Sequence, residues 1–200
     1  GDVDVEAEGV DLEAEIEGTH GALLPDDRLR RRNVLARVAL QGLRIADEAQ
    51  LVIDRVSAAS VEAFTSQLAG LPARDSGQLI DIVLNLDRGT AGTFDDQINV
   101  PDGYRLVITG DTSWGYHTNT ISGNWTVASG AVLVQGVTLV NSSDVPTILV
   151  QGGSLTLRDC TIEETSGGQR TAVEIVGGTA DLGTSGDPGN NILIIRGEGE

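Results

Sequence analysis

The sequence predicts an all-β chain whose larger part is a parallel β-helix solenoid, and three observations predict it. Apolar residues recur two apart in short runs, the period of a strand with one buried face. The same pattern returns in successive units of 23 to 27 residues, the mark of a repeat that buries its apolar face only by stacking on its neighbours. Glycine supplies 26 of the 200 residues without a Gly-X-Y period, which excludes collagen and provides tight turns between short strands.

The repeat is most regular at its centre. Val132, Val134, Val137 and Leu139 (AVLVQGVTL) stand 23 residues before Leu155, Leu157, Cys160 and Ile162 (SLTLRDCTI), and Trp125 and Val127 stand 23 before Ile148 and Val150. A step of 25 carries Ile148, Val150, Leu155 and Leu157 to Val173, Ile175, Ala180 and Leu182. Upstream, Leu106 and Ile108 lie 26 before Val132 and Val134, and the pattern places Ile98 and Val100 27 before Trp125 and Val127. Each unit holds two or three strands separated by Gly, Asn or Asp, with no helix inside, which selects a β-helix over leucine-rich or ankyrin arrays. Gly152-Gly153 and Gly177-Gly178 are expected at corners that need positive φ. The run GTSGDPGNN is expected to loop out between Leu182 and Ile192, and Trp125 and Cys160 are expected inside.

Ahead of the repeat the period changes. In SVEAFTSQLAGLP, Val61, Phe64 and Leu68 share one helical face, with Ser60 as N-cap, Glu62 in the first turn, Gly70 past the end and Pro72 beyond. The first coil of a solenoid is an unpaired sheet edge, so this short helix is expected to cover it. The chain therefore divides into residues 1–56, an acidic β-strand region with an Arg-rich linker, and residues 57–200, a capping helix and β-helix coils. Residues 1–20 carry eight acidic side chains and no basic one, yet Val3, Val5, Ala7, Val10, Leu12, Ala14 and Ile16 keep strand alternation. We read edge strands with a solvated acidic face. Ca²⁺ is the alternative, although the run lacks the spacing of an EF-hand loop. Arg28, Arg30, Arg31 and Arg32 neutralise neighbouring acid, and Leu51 and Ile53 mark a further strand.

Composition excludes some partners. A net charge of −17 opposes approach to nucleic acid phosphates. No stretch reaches the roughly 18 apolar residues of a membrane span, and with 3% aromatic residues the core must come from Val, Ile, Leu and Ala. The lack of an initiating Met and of a signal pattern suggests a segment of a longer chain. Cys160 is the one cysteine, so no internal disulfide forms, and its place in an alternating run suits a small buried hydrophobe.

One local run suggests binding. SWGYHTN gathers Trp114, Tyr116 and His117, and flat aromatic faces with polar rims suit sugar rings. The competing expectation is that Trp114 closes the core beside a long turn. The sequons at Asn124 and Asn141 are expected to be chain-turning asparagines. Neither His20 nor His117 has a partner at metal-ligand spacing, so no metal or cofactor is assigned, with Ca²⁺ left open.

The helix followed by DIVLNL, then GTFDDQINVPDGYRLVITGD and GVTLVNSS, resembles the N-terminal entry and first coils of right-handed parallel β-helix proteins of the pectate-lyase-like type. GGTADLGTSGDPGNN resembles loops of large bacterial surface proteins that carry such regions. The resemblance covers roughly residues 58–200 and is specific for fold. It implies, for a lyase, acids of adjacent coils holding Ca²⁺ and an Arg or Lys base in a groove. The candidates are Arg158, Asp159, Glu163, Glu164 and Glu174. Arg158 is expected to point outward and Glu163 and Glu164 to lie at a turn, while Asp159 aligns with Gly136 and no acid repeats at one position in successive coils. No catalytic residue is assigned. The expectation is a structural or adhesive segment of an extracellular or cell-surface bacterial protein, facing a polysaccharide or another surface protein. The alternative is a carbohydrate-binding or polysaccharide-degrading β-helix.

Overall fold

The computed structural model describes residues 50–74, 79–112, 117–167 and 170–197. Its strands are β1 (Gln50–Val56), β2 (Ile80–Leu86), β3 (Ala91–Thr93), β4 (Gln97–Asn99), β5 (Tyr104–Thr109), β6 (Thr120–Ser122), β7 (Trp125–Ser129), β8 (Ala131–Gln135), β9 (Thr138–Asn141), β10 (Ile148–Val150), β11 (Ser154–Arg158), β12 (Thr161–Gly167), β13 (Val173–Ile175), β14 (Thr179–Asp181) and β15 (Ile192–Gly197). A 3-10 turn (Ala58–Ser60) and one helix, α1 (Val61–Ala69), lie between β1 and β2.

The strands form three walls, and every described pairing is parallel. Wall A runs β1-β2-β5-β8-β11-β14, wall B β3-β6-β9-β12-β15 and wall C β4-β7-β10-β13. The chain visits A, B and C in turn, so the protein is a parallel β-helix. The described residues form four complete coils, from β2–β4 to β11–β13, and begin a further one with β14 and β15.

The expected register holds over most of the repeat. Leu155 pairs with Val132, Leu157 with Val134 and Ile162 with Leu139, and Ile148 pairs with both Trp125 and Val173. One alignment is corrected: Ile98 pairs with Val127, not Trp125, and the register shifts again before Asn99 meets Ser129. Coil two is lengthened by the corner between Thr109 and Thr120, so its offset to coil one exceeds the 27 that alternation suggested. Alternation fixes which face a residue occupies, but a slip of two keeps the face and is invisible to it.

Stacked columns make the core. Leu51, Ile82, Leu106, Val132, Leu155 and Ala180 follow one another through wall A, and Ile121, Leu139, Ile162 and Leu193 through wall B. Phe94 and Trp125 lie together inside, ring centroids 4.9 Å apart and tilted by 46°, as aromatic pairs prefer. Each return to wall A passes a left-handed glycine: Gly103, Gly130, Gly153 and Gly178 have φ of 86°, 75°, 69° and 69°. A Cβ on Gly153 would fall on the Gly130 carbonyl oxygen, and one on Gly178 on that of Gly153, so the corner admits no side chain.

The entry to the solenoid is covered at walls B and C and extended by one strand at wall A. β1 pairs along β2, while the 3-10 turn packs on β3 and α1 on β4. Val61, Phe64 and Leu68 are buried, as the helical spacing predicts. Gly92 of β3 makes the close approach possible, because a Cβ there would strike the Ala58 backbone. Ser60 holds the N-cap position, as expected, but its side chain makes no capping hydrogen bond: it has φ −95° and ψ −7°, and its hydroxyl meets Ser57 Oγ at 2.9 Å. The 3-10 turn runs directly into α1, so residue 60 already has helical geometry when the helix begins.

Candidate functional site

Of the candidate glycan-binding residues, Trp114 and Tyr116 lie outside the described residues. His117 sits half-buried at the corner leading to β6, its Nδ1 enclosed without a hydrogen-bond partner among the described residues. The acidic run 1–20 and the Arg28 to Arg32 cluster also fall outside them.

The fold separates the five candidates for lyase chemistry. Arg158, at the end of β11, points outward as expected and reaches into the next coil. Its Nη2 donates to Asp181 Oδ2 at 2.7 Å and to Asp187 Oδ2 at 3.3 Å, and its Nη1 donates to the Leu157 carbonyl at 2.9 Å. The Asp181 hydrogen bond pushes the guanidinium pKa up, and Arg158 in turn holds the Asp181 carboxyl below the usual range. A general base needs the opposite direction.

Asp159 has φ 50° and occupies the corner that Gly136 occupies one coil earlier with φ 67°. Its Oδ1 accepts from Asn190 Nδ2 at 3.1 Å. Asp is among the few side chains tolerated there, so this residue is explained by the corner. Glu163 stands on the outer face of wall B, 3.6 Å from Arg196, and Glu174 is exposed on wall C. The placement of Glu163 and Glu164 at a turn is corrected: both lie within β12, which continues to Gly167. Glu164 is fully buried, its Oε1 accepting the Ser166 N–H at 2.8 Å, while Oε2 has no partner among the described residues. Alternation from the inward Ile162 carried that signal, because residue 164 must then face inward too.

Cys160 is buried as expected. Its thiol donates toward the Arg158 carbonyl at 3.2 Å, and burial pushes its pKa up, away from the thiolate a nucleophile requires. Among the described residues no group of three or more His, Cys, Asp or Glu side chains gathers as a metal centre. Asn141 turns the chain: its Nδ2 donates to the Val145 carbonyl at 2.7 Å and its Oδ1 accepts the Ser143 N–H at 3.0 Å. Asn124 Nδ2 donates to the Pro146 carbonyl. Both sequon amides thus serve the fold.

Two asparagines that the sequence reading left without a role organise the longest corners between walls A and B. Backbone bonds run from Thr120 to Thr90, Thr138 to Asn119, Thr161 to Val137 and Ile192 to Cys160, so Thr90, Asn119, Val137, Cys160 and Asn191 form one column. Where the corner is two residues long the column is apolar; where it lengthens, at 110–119 and 182–191, it is Asn. Asn119 Nδ2 donates to the Asp87 carbonyl at 2.8 Å and to Thr90 Oγ1 at 3.0 Å, and its Oδ1 accepts the Asp111 N–H at 2.8 Å. Asn191 repeats the scheme with the carbonyls of Leu157 (2.9 Å) and Leu182 (3.0 Å) and the Cys160 N–H (3.0 Å). A long corner leaves buried backbone groups without strand partners, and an amide side chain satisfies donors and acceptors at once.

No helix of the described residues is long and apolar enough to cross a membrane. Comparison of the chain with protein-family models, with curated proteins and with solved structures finds no match.

Proposed function

We propose that the chain is a structural or adhesive β-helix segment of a large extracellular bacterial protein, of the pectate-lyase-like type and without catalysis of its own. The supporting observation is how the outer charges are used. Arg88 lies 3.9 Å from Asp111, Arg105 binds Asp81 through two bonds of 2.8 and 2.6 Å, Arg158 binds Asp181, Arg170 binds Asp144 at 2.8 Å and Arg196 faces Glu163. Each pair joins one coil to the next. Acid and base side chains that could converge on a substrate are instead distributed as rung-to-rung ties over an aliphatic interior, an arrangement suited to holding shape and spacing. The remaining excess of acid keeps the surface hydrated and discourages nonspecific association.

The test is affinity electrophoresis of the 200-residue chain through gels containing neutral and acidic polysaccharides, with unsaturated uronate absorbance followed in solution. Unretarded migration without product formation is expected. Product formation would overturn the proposal in favour of a lyase, and saturable retardation abolished by Trp114→Ala would replace it with a glycan-binding role.

A further inference from the structure

Wall A carries an apolar stripe on its outer face. In its central outward column Val52 pairs with Val83, Val83 with Val107 and Val107 with Leu133, and only the next rung, Thr156, is polar. None of these four apolar residues belongs to the interior core, which their strand neighbours Ile82, Leu84, Leu106, Ile108, Val132 and Val134 fill instead. They break the alternation that IDIVLNL, YRLVIT and AVLVQ otherwise keep. The outward positions beside them hold Asp81 and Arg105 on one side and Asn85, Thr109 and Gln135 on the other. The stripe runs along the side of the stack, where a further coil at either end would extend it without covering it.

We propose that this stripe is the docking face for residues 28–45 of the same chain, RLRRRNVLARVALQGLRI, a segment that lies outside the described residues. The inference does not depend on the functional reading above. Four residues, 46–49, join the segment to β1, the first strand of wall A. Extended, those four reach at most about 14 Å, and the three steps between rungs of the stripe, roughly 4.8 Å each, cover the same distance. A place in an earlier coil is closed to the segment at two walls, because the 3-10 turn packs on β3 and α1 on β4. Its composition suits the stripe. Val34, Ala36, Val38 and Leu40 stand two apart, an apolar row to set against an apolar column. The segment also holds six of the chain's 13 basic residues and none of its 30 acidic ones, so Coulomb attraction draws it toward the acidic remainder of the chain. The short tether keeps its effective concentration high, so modest affinity is enough to hold it.

Hydrogen–deuterium exchange of the full chain, read by mass spectrometry, tests the proposal. Amides of residues 34–45 are expected to exchange roughly tenfold or more slowly than those of a free peptide of the same sequence. Val107→Asp combined with Leu133→Asp should bring the segment to the peptide rate while β9 and β12 exchange as in the wild type. Should the double variant disturb those strands, Leu133→Gln alone takes its place. As an independent readout, Leu40→Cys with Val107→Cys should form a disulfide within one chain on mild oxidation, the native Cys160 being buried. Leu40→Cys with Thr138→Cys, on the outer face of wall B, should not. A segment that exchanges at the peptide rate in the wild type would overturn the proposal. So would protection that survives the stripe substitutions, or a disulfide that links two chains, which would give the stripe to a second copy.

Discussion

The entry of this solenoid and its last described coil bury their aliphatic columns to different extents. At the entry, a turn and a nine-residue helix cover the first strands of walls B and C over Ala58, Val61, Phe64 and Leu68, while β1 extends wall A. At the last described coil, the columns reach strands β13, β14 and β15, where Ile175, Leu193 and Ile195 are half exposed among the described residues. The difference teaches that a coil does not finish its own core. Inside the stack, each rung is buried by its neighbours, and a rung with a neighbour on one side only keeps part of its apolar surface in water.

Substitutions matched between the two ends give the largest expected contrast. Phe64→Ala removes a side chain that is 4% exposed at the entry and should cost about 3–5 kcal/mol in urea unfolding. Ile195→Ala should cost less than about 1 kcal/mol because about half of that side chain is already wet. Equal losses would break the comparison.

The two corner asparagines sharpen it. Asn119 is fully buried, so Asn119→Ala takes the amide partner from the Asp111 N–H and leaves the Asp87 carbonyl to Thr90 alone, an expected loss of about 1–3 kcal/mol. Asn191→Ala removes the same number of bonds at a partly exposed residue, where solvent can replace them, and should cost roughly half as much. A thermal or urea midpoint for each variant decides the order.

The smallest effect concerns pH. Hydrogen bonds from Arg170 and Arg158 hold the carboxyls of Asp144 and Asp181 below the usual range. A carboxyl with a lowered folded pKa stabilises the fold above its unfolded pKa, about 3.9, and that contribution is lost as pH falls through the folded value. The thermal midpoint should therefore drop slightly as the solution is acidified below about pH 4. Asp181→Asn should reduce that drop, and high salt should weaken it, because these pairs lie on the surface. A midpoint insensitive to acid would mean that the cross-coil pairs are geometric neighbours without energetic weight.

Much of this architecture was legible in the sequence. The 23-residue step from Val132 to Leu155 and from Leu139 to Ile162 is the observed register, and Val61, Phe64 and Leu68 do face the core. Gly153 and Gly178 sit where the doubled glycines were expected to turn the chain, and only these second members have positive φ. The candidate site was less legible. The charge of Glu164 masks its inward place two residues after Ile162, and the acidity of Asp159 masks its place at a corner of positive φ.

What the sequence by itself determined is periodic: alternation sets inside and outside, the repeat length sets the coil, and glycine marks the corners. These follow from local sterics and from burying one face of each strand. Tertiary structure alone decided the rest. The pairing of Ile98 with Val127, the column shared by Asn119, Cys160 and Asn191, and the capture of Arg158 by Asp181 and Asp187 each depend on where the neighbouring coil comes to rest. A residue two positions along the same strand keeps its face, so one-dimensional periodicity cannot choose between such registers. Packing against the adjacent rung can, because only one register fills the core and satisfies the buried backbone groups at the corners.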